Sequence, residues 1–474
     1  MHQVIPIELL EGKLTLATYK SINANVVYEL NLLTECRVVI KLLEHNEWLN
    51  LYQGFLQSAR MAQSYKETML KDNITIKETT ISHEVNEDDE VPRLVDAILE
   101  GAWNRDASDI HIEPERDGLI IRLRLDGLLH EYLKIPKDLS KAIVARFKLL
   151  AEMDLVEKRL SQDAHLHTMI NNQEINLRIA SLPVYHGEKL VLRFLRSDNI
   201  ELSLSDLGMT DKVYDDMCHF LTQPNGLILI TGPTGSGKTT TLYTAINHLK
   251  DTSINITSIE DPIEFELRGI NQVSINPYLG FAAGLRGILR QDPDIIMIGE
   301  IRDRETAEIA LRASITGRLV LSSIHTNDAC GAIIRLLDMG LEPYLVASAL
   351  TGVINQRLVR RLCSCRRLYK EIYEGKELIF SLDDEKKDVI ANPKCPLCHG
   401  RGYVGRYGIF ESLRLNSAMQ KLILERTELE RLRETAFDSG WRSILEDGFK
   451  KVSMNITDLP ELRRVLSVKE DFHA

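Results

Sequence analysis

Short apolar runs alternate with amphipathic stretches from Gly226 onward. The runs read GLILITG, NITSIED, DIIMIGE and RLVLSSIHT, and segments such as KTTTLYTAINHLK lie between them. Buried strands separated by helices are typical of a parallel, doubly wound sheet. We therefore predict an α/β domain over residues 201–360.

The same pattern predicts the organisation of the rest of the chain. From Val91, VPRLVDAILEGAWNRDA has helical spacing, and SDIHIEP and GLIIRLRLDG then alternate as strands do. Five further segments are predicted: a small N-terminal α/β module at 1–65, a polar linker at 66–90, a second α/β domain at 91–200, a cysteine segment at 361–405 and a wholly helical region at 406–474.

Composition limits the class of protein. A chain of 474 residues, 44% hydrophobic and 27% charged, is typical of a soluble protein of several domains. It contains no apolar run near the roughly 18 residues that cross a bilayer, and its N-terminus lacks a signal pattern, so we expect a cytoplasmic protein. The net charge of −11 provides no basic surface for phosphate backbones. A nucleic-acid partner is therefore not expected.

Residues 232–239 read GPTGSGKT and fit the phosphate-loop pattern G-x-x-x-x-G-K-[ST] between a strand and a helix. Such a loop surrounds phosphate with backbone N–H groups; Lys238 would reach the β- and γ-phosphates and the Thr239 hydroxyl would hold Mg²⁺. The alternative is a glycine-rich turn that only joins a strand to a helix. The residues predicted to bind ATP here are Gly232, Pro233, Thr234, Gly235, Ser236, Gly237, Lys238, Thr239 and Thr240.

Carboxylates follow two of the predicted strands. Glu300 ends DIIMIGE and is expected to hold Mg²⁺ or its water shell. Glu264 lies after NITSI and is expected to orient or deprotonate the attacking water. Glu260 and Asp261 are close enough for the same work, but they can equally cap the turn.

Four cysteines form two close pairs, a C-x-C and a C-x-x-C, at Cys363, Cys365, Cys395 and Cys398. Two thiolate pairs predict a closed, structural Zn²⁺ site. The first pair is more closely spaced than usual, so four thiols without metal are the alternative, and His399 is an alternative ligand. The remaining cysteines, Cys36, Cys218 and Cys330, are expected to be small core residues.

The motifs GPTGSGKTTTLY, ITSIEDPIEF, LRQDPDIIMIGEIRD and LVLSSIHTNDA, taken in this order, resemble those of the secretion ATPases that drive type II secretion and type IV pilus assembly. The resemblance covers about 91–410. It implies a RecA-like P-loop domain preceded by a PAS-like α/β domain, with a zinc-knuckle insertion and a helical C-terminus. It also implies a ring of six identical subunits, with ATP bound between the two main domains.

The resemblance also implies further site residues and binding partners. It implies a catalytic role for His325 and contacts to nucleotide or γ-phosphate from Arg178, Arg193, Arg290 and Arg335. The implied partners are an inner-membrane platform protein and the cytoplasmic domain of a membrane-anchored adaptor, reached through residues 1–65. The ATPase would then lie in the cytoplasm, peripherally at the inner membrane.

Two departures from the family pattern keep alternatives open. The usual Thr-Gly-His is Thr316-Gly317-Arg318, and the usual Gln-Asp-Gly-Arg is Gln162-Asp163-Ala164-His165. Both affect the expected turnover and intersubunit contacts more than nucleotide binding. The alternatives are a nucleotide-binding scaffold ring with weak hydrolysis and a pilus-retraction motor.

Overall fold

The computed structural model describes residues 5–10, 13–19, 37–44, 48, 90–195, 202–365, 369–373, 376–380 and 395–466. The chain forms two compact units, one of residues 1–195 with 394–399 and the other of 196–393 with 400–474. The predicted linker at 66–90 lies outside the described residues, except for Glu90. Within the described ranges, every helix is too short or too polar to span a bilayer.

A three-stranded sheet lies in the N-terminal module predicted at 1–65. Its strands are β1 (Ile5–Leu10), β2 (Lys13–Thr18) and β3 (Arg37–Leu42). Strand β2 pairs antiparallel with β1 and parallel with β3. Ile5, Ala17 and Trp48 form a small buried cluster on this sheet.

A six-stranded antiparallel sheet follows, in the order β6-β5-β4-β9-β8-β7. Burial alternates along its strands, and the buried positions face two helices whose apolar stripes include Ile98 and Phe147. This packing accounts for the alternating and helical patterns in the sequence. The elements are α1 (Glu90–Trp103), β4 (Asp109–Glu115), β5 (Gly118–Leu125), β6 (Leu128–Pro136), α2 (Lys137–Leu150), β7 (Gln162–Ile170), β8 (Gln173–Val184) and β9 (Gly187–Leu195).

The second unit is built on a seven-stranded sheet in the order β12-β11-β13-β14-β10-β15-β18. Every pair is parallel except β15 with β18, so the predicted parallel sheet is confirmed, with an antiparallel edge. The strands are β10 (Gly226–Thr231), β11 (Ile256–Glu260), β12 (Asn271–Ser274), β13 (Ile295–Ile298), β14 (Leu319–Ile324), β15 (Leu350–Leu362) and, after a two-stranded hairpin of β16 (Tyr369–Tyr373) and β17 (Lys376–Phe380), β18 (Tyr403–Arg414).

Helices cover both faces of this sheet, so its central strands are apolar throughout. Leu227 and Leu229 of β10 belong to one core, whereas Ile228 and Ile230 belong to the core of the opposite face. The described helices are α3 (Asp211–Leu221), α4 (Lys238–Leu249), α5 (Phe281–Ile288), α6 (Arg304–Ile315), α7 (Ala329–Asp338), α8 (Pro343–Ala349), α9 (Ser417–Leu424), α10 (Leu429–Asp438), α11 (Ile444–Ser453) and α12 (Leu459–Leu466).

The prediction of a wholly helical region at 406–474 is wrong at its start. Residues up to Arg414 belong to β18, which pairs antiparallel with β15 and buries Ile409, Phe410 and Leu413. The segment reads as a strand only once its partner is known, because its glycines and charges obscure the alternation. The four cysteines of the predicted zinc site therefore lie in the connection between β15 and β18.

Candidate active site

The loop Gly232–Gly237 connects β10 to α4 at the carboxyl edge of the parallel sheet. Gly232 has φ +143°, and a Cβ there would lie 2.4 Å from the Gln356 carbonyl oxygen. Gly237, the N-cap of α4, has φ +88°. Glycine at these positions lets the backbone fold tightly against β15 and place the N-terminus of α4 at the edge of the sheet.

Lys238, the first residue of α4, folds back over this loop. Its Nζ donates to the carbonyl oxygens of Gly232 and Pro233, at 3.0 Å each, and lies 3.5 Å from His325 Nδ1. Burial lowers the pKa of Lys238 to about 8, although the negative charge of Glu300 acts in the opposite direction. An ammonium group that has lost part of its hydration is well suited to bind a multiply charged anion.

Glu300 follows β13, the second strand away from β10, at the same edge of the sheet. Its carboxylate pairs with Arg302, and its Oε2 lies 3.6 Å from His325 Nε2. Burial acts to raise the pKa of Glu300, but the hydrogen bond from Arg302 and the charges of His325 and Lys238 outweigh it, so the net pKa is below its usual value. The structure thus brings together Lys238, Glu300 and His325.

Arg302 also lies at the site, although the motifs did not single it out. Its guanidinium bridges two predicted acids, because it pairs with Glu300 and also with Asp261 Oδ2 at 3.1 Å. Its position directly after the carboxylate motif, in GEIRD, was the available signal. It links the strand ends of β11 and β13.

The acids after β11 have different surroundings. Glu260 is buried; it accepts hydrogen bonds from Tyr243 Oη, from Ser258 Oγ at 2.6 Å and from Gln272 Nε2 at 3.1 Å. These bonds anchor the Glu260 side chain to α4, β11 and β12, rather than to the backbone of the turn that it was expected to cap. Glu264 is half-buried, and its backbone N–H donates to Tyr243 Oη at 3.3 Å.

The four predicted arginines lie in different places. In the first unit, Arg178 pairs with Asp163 through two 2.8 Å bonds, and Arg193 bonds Asp109 at 2.9 Å. In the second unit, Arg290 donates to the carbonyl oxygen of its own preceding turn, and Arg335 is an exposed residue of α7. Nucleotide contacts by these residues stay predictions.

The two departures from the family pattern also have local roles. Arg318 donates to the Thr316 carbonyl oxygen at 3.0 Å within the turn before β14. Ala164 lies on β7 beside the core, and His165 is paired in register with Arg178 of β8. Their effect on turnover stays a prediction.

Buried polar residues of β15 support the loops of the site, and the motif analysis missed them. Asn355 Nδ2 and Arg357 Nη2 donate to the Asn327 carbonyl oxygen, at 3.1 and 2.9 Å, in the loop that carries His325. Glu411 of β18 accepts from Asn355 and from the Ala329 N–H. The available signal was a run of three polar residues, Asn-Gln-Arg, between the apolar pairs Val-Ile and Leu-Val of β15.

The four predicted zinc ligands also come together. Their sulfur atoms lie within 4.8 Å of one another, and among the described residues this group contains the four cysteines and not His399. Three of the four side chains, those of Cys363, Cys395 and Cys398, are buried. Tetrahedral Zn²⁺ with Zn–S bonds of about 2.3 Å places sulfurs about 3.8 Å apart, so the donor set fits a zinc-knuckle site.

A phosphate loop before a helix N-terminus, with a carboxylate at the end of a nearby parallel strand, defines a P-loop ATPase. Residues 84–464 match the model of the type II/IV secretion system protein family. The type II secretion system ATPase E of Vibrio cholerae serotype O1 is 44% identical over 81% of this chain and 76% of its own length. The type II secretion system protein E of Pseudomonas aeruginosa is 43% identical over 82% and 78%, respectively.

Among solved structures, the pilus retraction motor PilT with bound ADP is 26% identical and covers 79% of this chain and 97% of its own, with a TM-score of 0.54. The chain belongs to the type II/IV secretion system protein family. It is an ATPase motor of the secretion and pilus class, so the resemblance given by its four motifs is confirmed.

Proposed function

We propose that this chain forms a ring of six subunits and hydrolyses ATP at residues 232–240 to power type II secretion or type IV pilus assembly. The observation that supports the site assignment is the convergence of three groups. Lys238 Nζ lies 3.5 Å from one ring nitrogen of His325, and the other ring nitrogen lies 3.6 Å from Glu300. A cation and an anion on either side of an imidazole ring at a sheet edge fit phosphoryl transfer to water.

Within this proposal, each site residue has a chemical task. Lys238 and the loop N–H groups bind the phosphates, while the Thr239 hydroxyl and the Glu300 carboxylate supply oxygen ligands that suit Mg²⁺. Bound Mg²⁺ would neutralise phosphate charge. Glu264 orients the attacking water, and His325, which lies between Lys238 and Glu300, holds these two groups in position.

Arginines complete the charge balance of the proposed site. Arg178, Arg193, Arg290 and Arg335 contact nucleotide, in the same subunit or in a neighbouring one, through a guanidinium that stays charged and fits phosphate oxygens. Arg178 and Arg193 are held on antiparallel strands by paired aspartates, so their side chains are partly preorganised.

The four cysteines hold a structural Zn²⁺ ion. Zinc would cross-link the connection between β15 and β18, because ligands on both sides of a long excursion close it into one loop. Four thiolates leave no open coordination position, so the ion has no catalytic task.

The domains and partners are those that the family resemblance implies. The second unit is a RecA-like domain and the six-stranded sheet belongs to a PAS-like domain. The N-terminal module docks on the cytoplasmic domain of a membrane-anchored adaptor, which brings the cytoplasmic ring to an inner-membrane platform protein. The cysteine cluster and the N-terminal sheet favour assembly or secretion over pilus retraction, since retraction motors generally lack both.

The test is Mg²⁺-dependent ATP hydrolysis by the full chain as a function of protein concentration, with mass photometry in parallel. We expect specific activity to rise with concentration as hexamers form. Lys238→Ala should lose ATP binding, whereas Glu264→Gln should bind ATP but lose hydrolysis by about a hundredfold or more. Glu266→Gln is the matched control, because Glu266 is exposed two residues away.

Two outcomes would contradict the proposal. Hydrolysis by the native chain no faster than by Glu264→Gln would favour a nucleotide-binding scaffold. Full activity at concentrations where mass photometry shows only monomers would remove the ring from the proposal.

A further inference from the structure

Strand β15 extends beyond the end of its neighbour β10. Thr231, the last residue of β10, is paired with Asn355, whereas β15 continues to Leu362 with β18 as its partner. Side chains just past this pair therefore lie where the phosphate loop begins. Because successive side chains on a strand point to opposite faces, Gln356 faces away from Asn355 and Arg357.

Gln356 spans the phosphate loop from this position. Its Nε2 donates to the Ser236 carbonyl oxygen at 2.7 Å, and its Oε1 accepts from Thr241 Oγ1 at 2.8 Å. Gln356 and Thr241 are both almost fully buried. One side chain thus connects the loop to the first turn of α4 through two hydrogen bonds of good geometry.

The backbone of Gln356 contributes to the same contact. Its carbonyl oxygen is the atom nearest to where a Cβ at Gly232 would lie, at 2.4 Å. The loop is therefore bounded by residue 356 at its first glycine and at Ser236. A side-chain amide suits the position between Ser236 and Thr241, because it supplies a donor for one and an acceptor for the other. A carboxylate only accepts, and a thioether supplies neither reliably.

We propose that Gln356 is a positioning residue for ATP binding, which holds the phosphate loop in its binding conformation before nucleotide arrives. A trans peptide points its C=O and its N–H in opposite directions. Drawing the Ser236 carbonyl toward Gln356 therefore turns the Gly237 N–H away from it and prevents the carbonyl oxygen from facing an anion. This inference rests on the proposed nucleotide site at residues 232–240.

The first test is Gln356→Met, which keeps the side-chain volume and removes both hydrogen bonds. We expect the KM for ATP to rise about three- to tenfold with kcat within about twofold, because the change affects the ground-state binding conformation. Gln420→Met is the matched control. Gln420 also donates its amide to a backbone carbonyl, that of Ala347 at 3.1 Å, but on α9, and its variant should keep the native KM.

The second test uses pH. Gln356→Glu keeps the shape of the side chain, and in its neutral form the carboxylic acid still donates to the Ser236 carbonyl. Above the pKa of the new carboxyl, a buried carboxylate would face that carbonyl oxygen and repel it. We therefore expect the ATP affinity of Gln356→Glu, divided by that of the native chain at each pH, to recover as the pH falls from about 8 to about 6, whereas Gln356→Met stays weak throughout.

Both tests are made on the full chain, and each decides whether Gln356 positions the phosphate loop. A native KM in folded Gln356→Met, or a flat affinity ratio for Gln356→Glu, would overturn the inference. If neither variant folds, Thr241→Val is the deciding test, because this change removes one hydrogen bond of Gln356 without changing the glutamine. A raised KM for ATP supports the positioning role, and an unchanged KM overturns it. Lys238→Ala separates the two proposals, since tight ATP binding by that variant would refute the site itself.

Discussion

Gly232 and Gly235 allow a direct test of how the phosphate loop packs. Both residues have positive φ, +143° and +77°, but a Cβ at Gly235 would meet no described atom within 4 Å, whereas a Cβ at Gly232 would lie 2.4 Å from the Gln356 carbonyl oxygen and 2.6 Å from Ser236 Oγ. Alanine at either position has backbone strain, and the strain is larger at φ +143° than at φ +77°, which is nearer to the left-handed helical region. Only Gly232→Ala adds a collision with a strand.

The magnitudes follow from these two contributions. Backbone strain costs about 1 to 3 kcal/mol for a non-glycine residue with such a φ. The collision adds about 1 to 3 kcal/mol, because β15 is buried between two neighbours and its carbonyl oxygen cannot move freely. A central difference of about 2 kcal/mol between the variants corresponds to a Tm gap of roughly 4 to 8 °C.

The assay is thermal unfolding of the full chain without nucleotide, which separates packing from ATP contacts. Gly232→Ala should melt below Gly235→Ala, and ATP with Mg²⁺ should raise the Tm of Gly232→Ala less than that of the native chain. Equal melting temperatures for the two variants would refute the packing argument. A Gly232→Ala variant with native Tm would do so even more directly.

Three further predictions concern charge and metal. Because burial lowers the pKa of Lys238 to about 8, its cationic form is lost above that pH, and the KM for ATP should rise roughly eightfold between about pH 7.5 and about pH 9. Lys238→Arg should show a flat pH dependence. Burial raises the pKa of Glu411 to about 7, so the folded chain retains a proton that the unfolded chain releases near pH 4.3. The stability contributed by this proton is complete below the pKa of the unfolded chain and is lost as the pH rises toward 7. Urea unfolding should show the free energy of unfolding falling by up to about 3 kcal/mol over this range. Glu411→Gln should reduce this dependence of stability on pH. Cys395→Ala should lose bound zinc, measured by mass spectrometry of metal content, while Cys330→Ala, a buried cysteine outside the cluster, should retain it.

Much of the architecture was predictable because its signals are local. The apolar runs at β10, β11, β13 and β14 are buried on both faces of a parallel sheet, so they are recognisable without knowledge of their neighbours. The phosphate loop is equally local, since its glycines, Lys238 and the following helix lie within one short segment. The grouping of the four cysteines was also predictable from their spacing along the chain.

The sequence by itself determined the class of sheet, the phosphate loop and the carboxylate at the end of β13. Only the tertiary structure decided that β18 is a strand, that Glu260 is an anchor and that Gln356 supports the loop. The reason is physical: β18 and Gln356 depend on partners far along the chain, and Gln356 lies 120 residues from Ser236. Glu260 has nearer partners, but they contact it only because β11, β12 and α4 pack together. Hydrogen bonds between such distant groups leave no periodic signal, because burial and geometry select the partner only when the strands have come together.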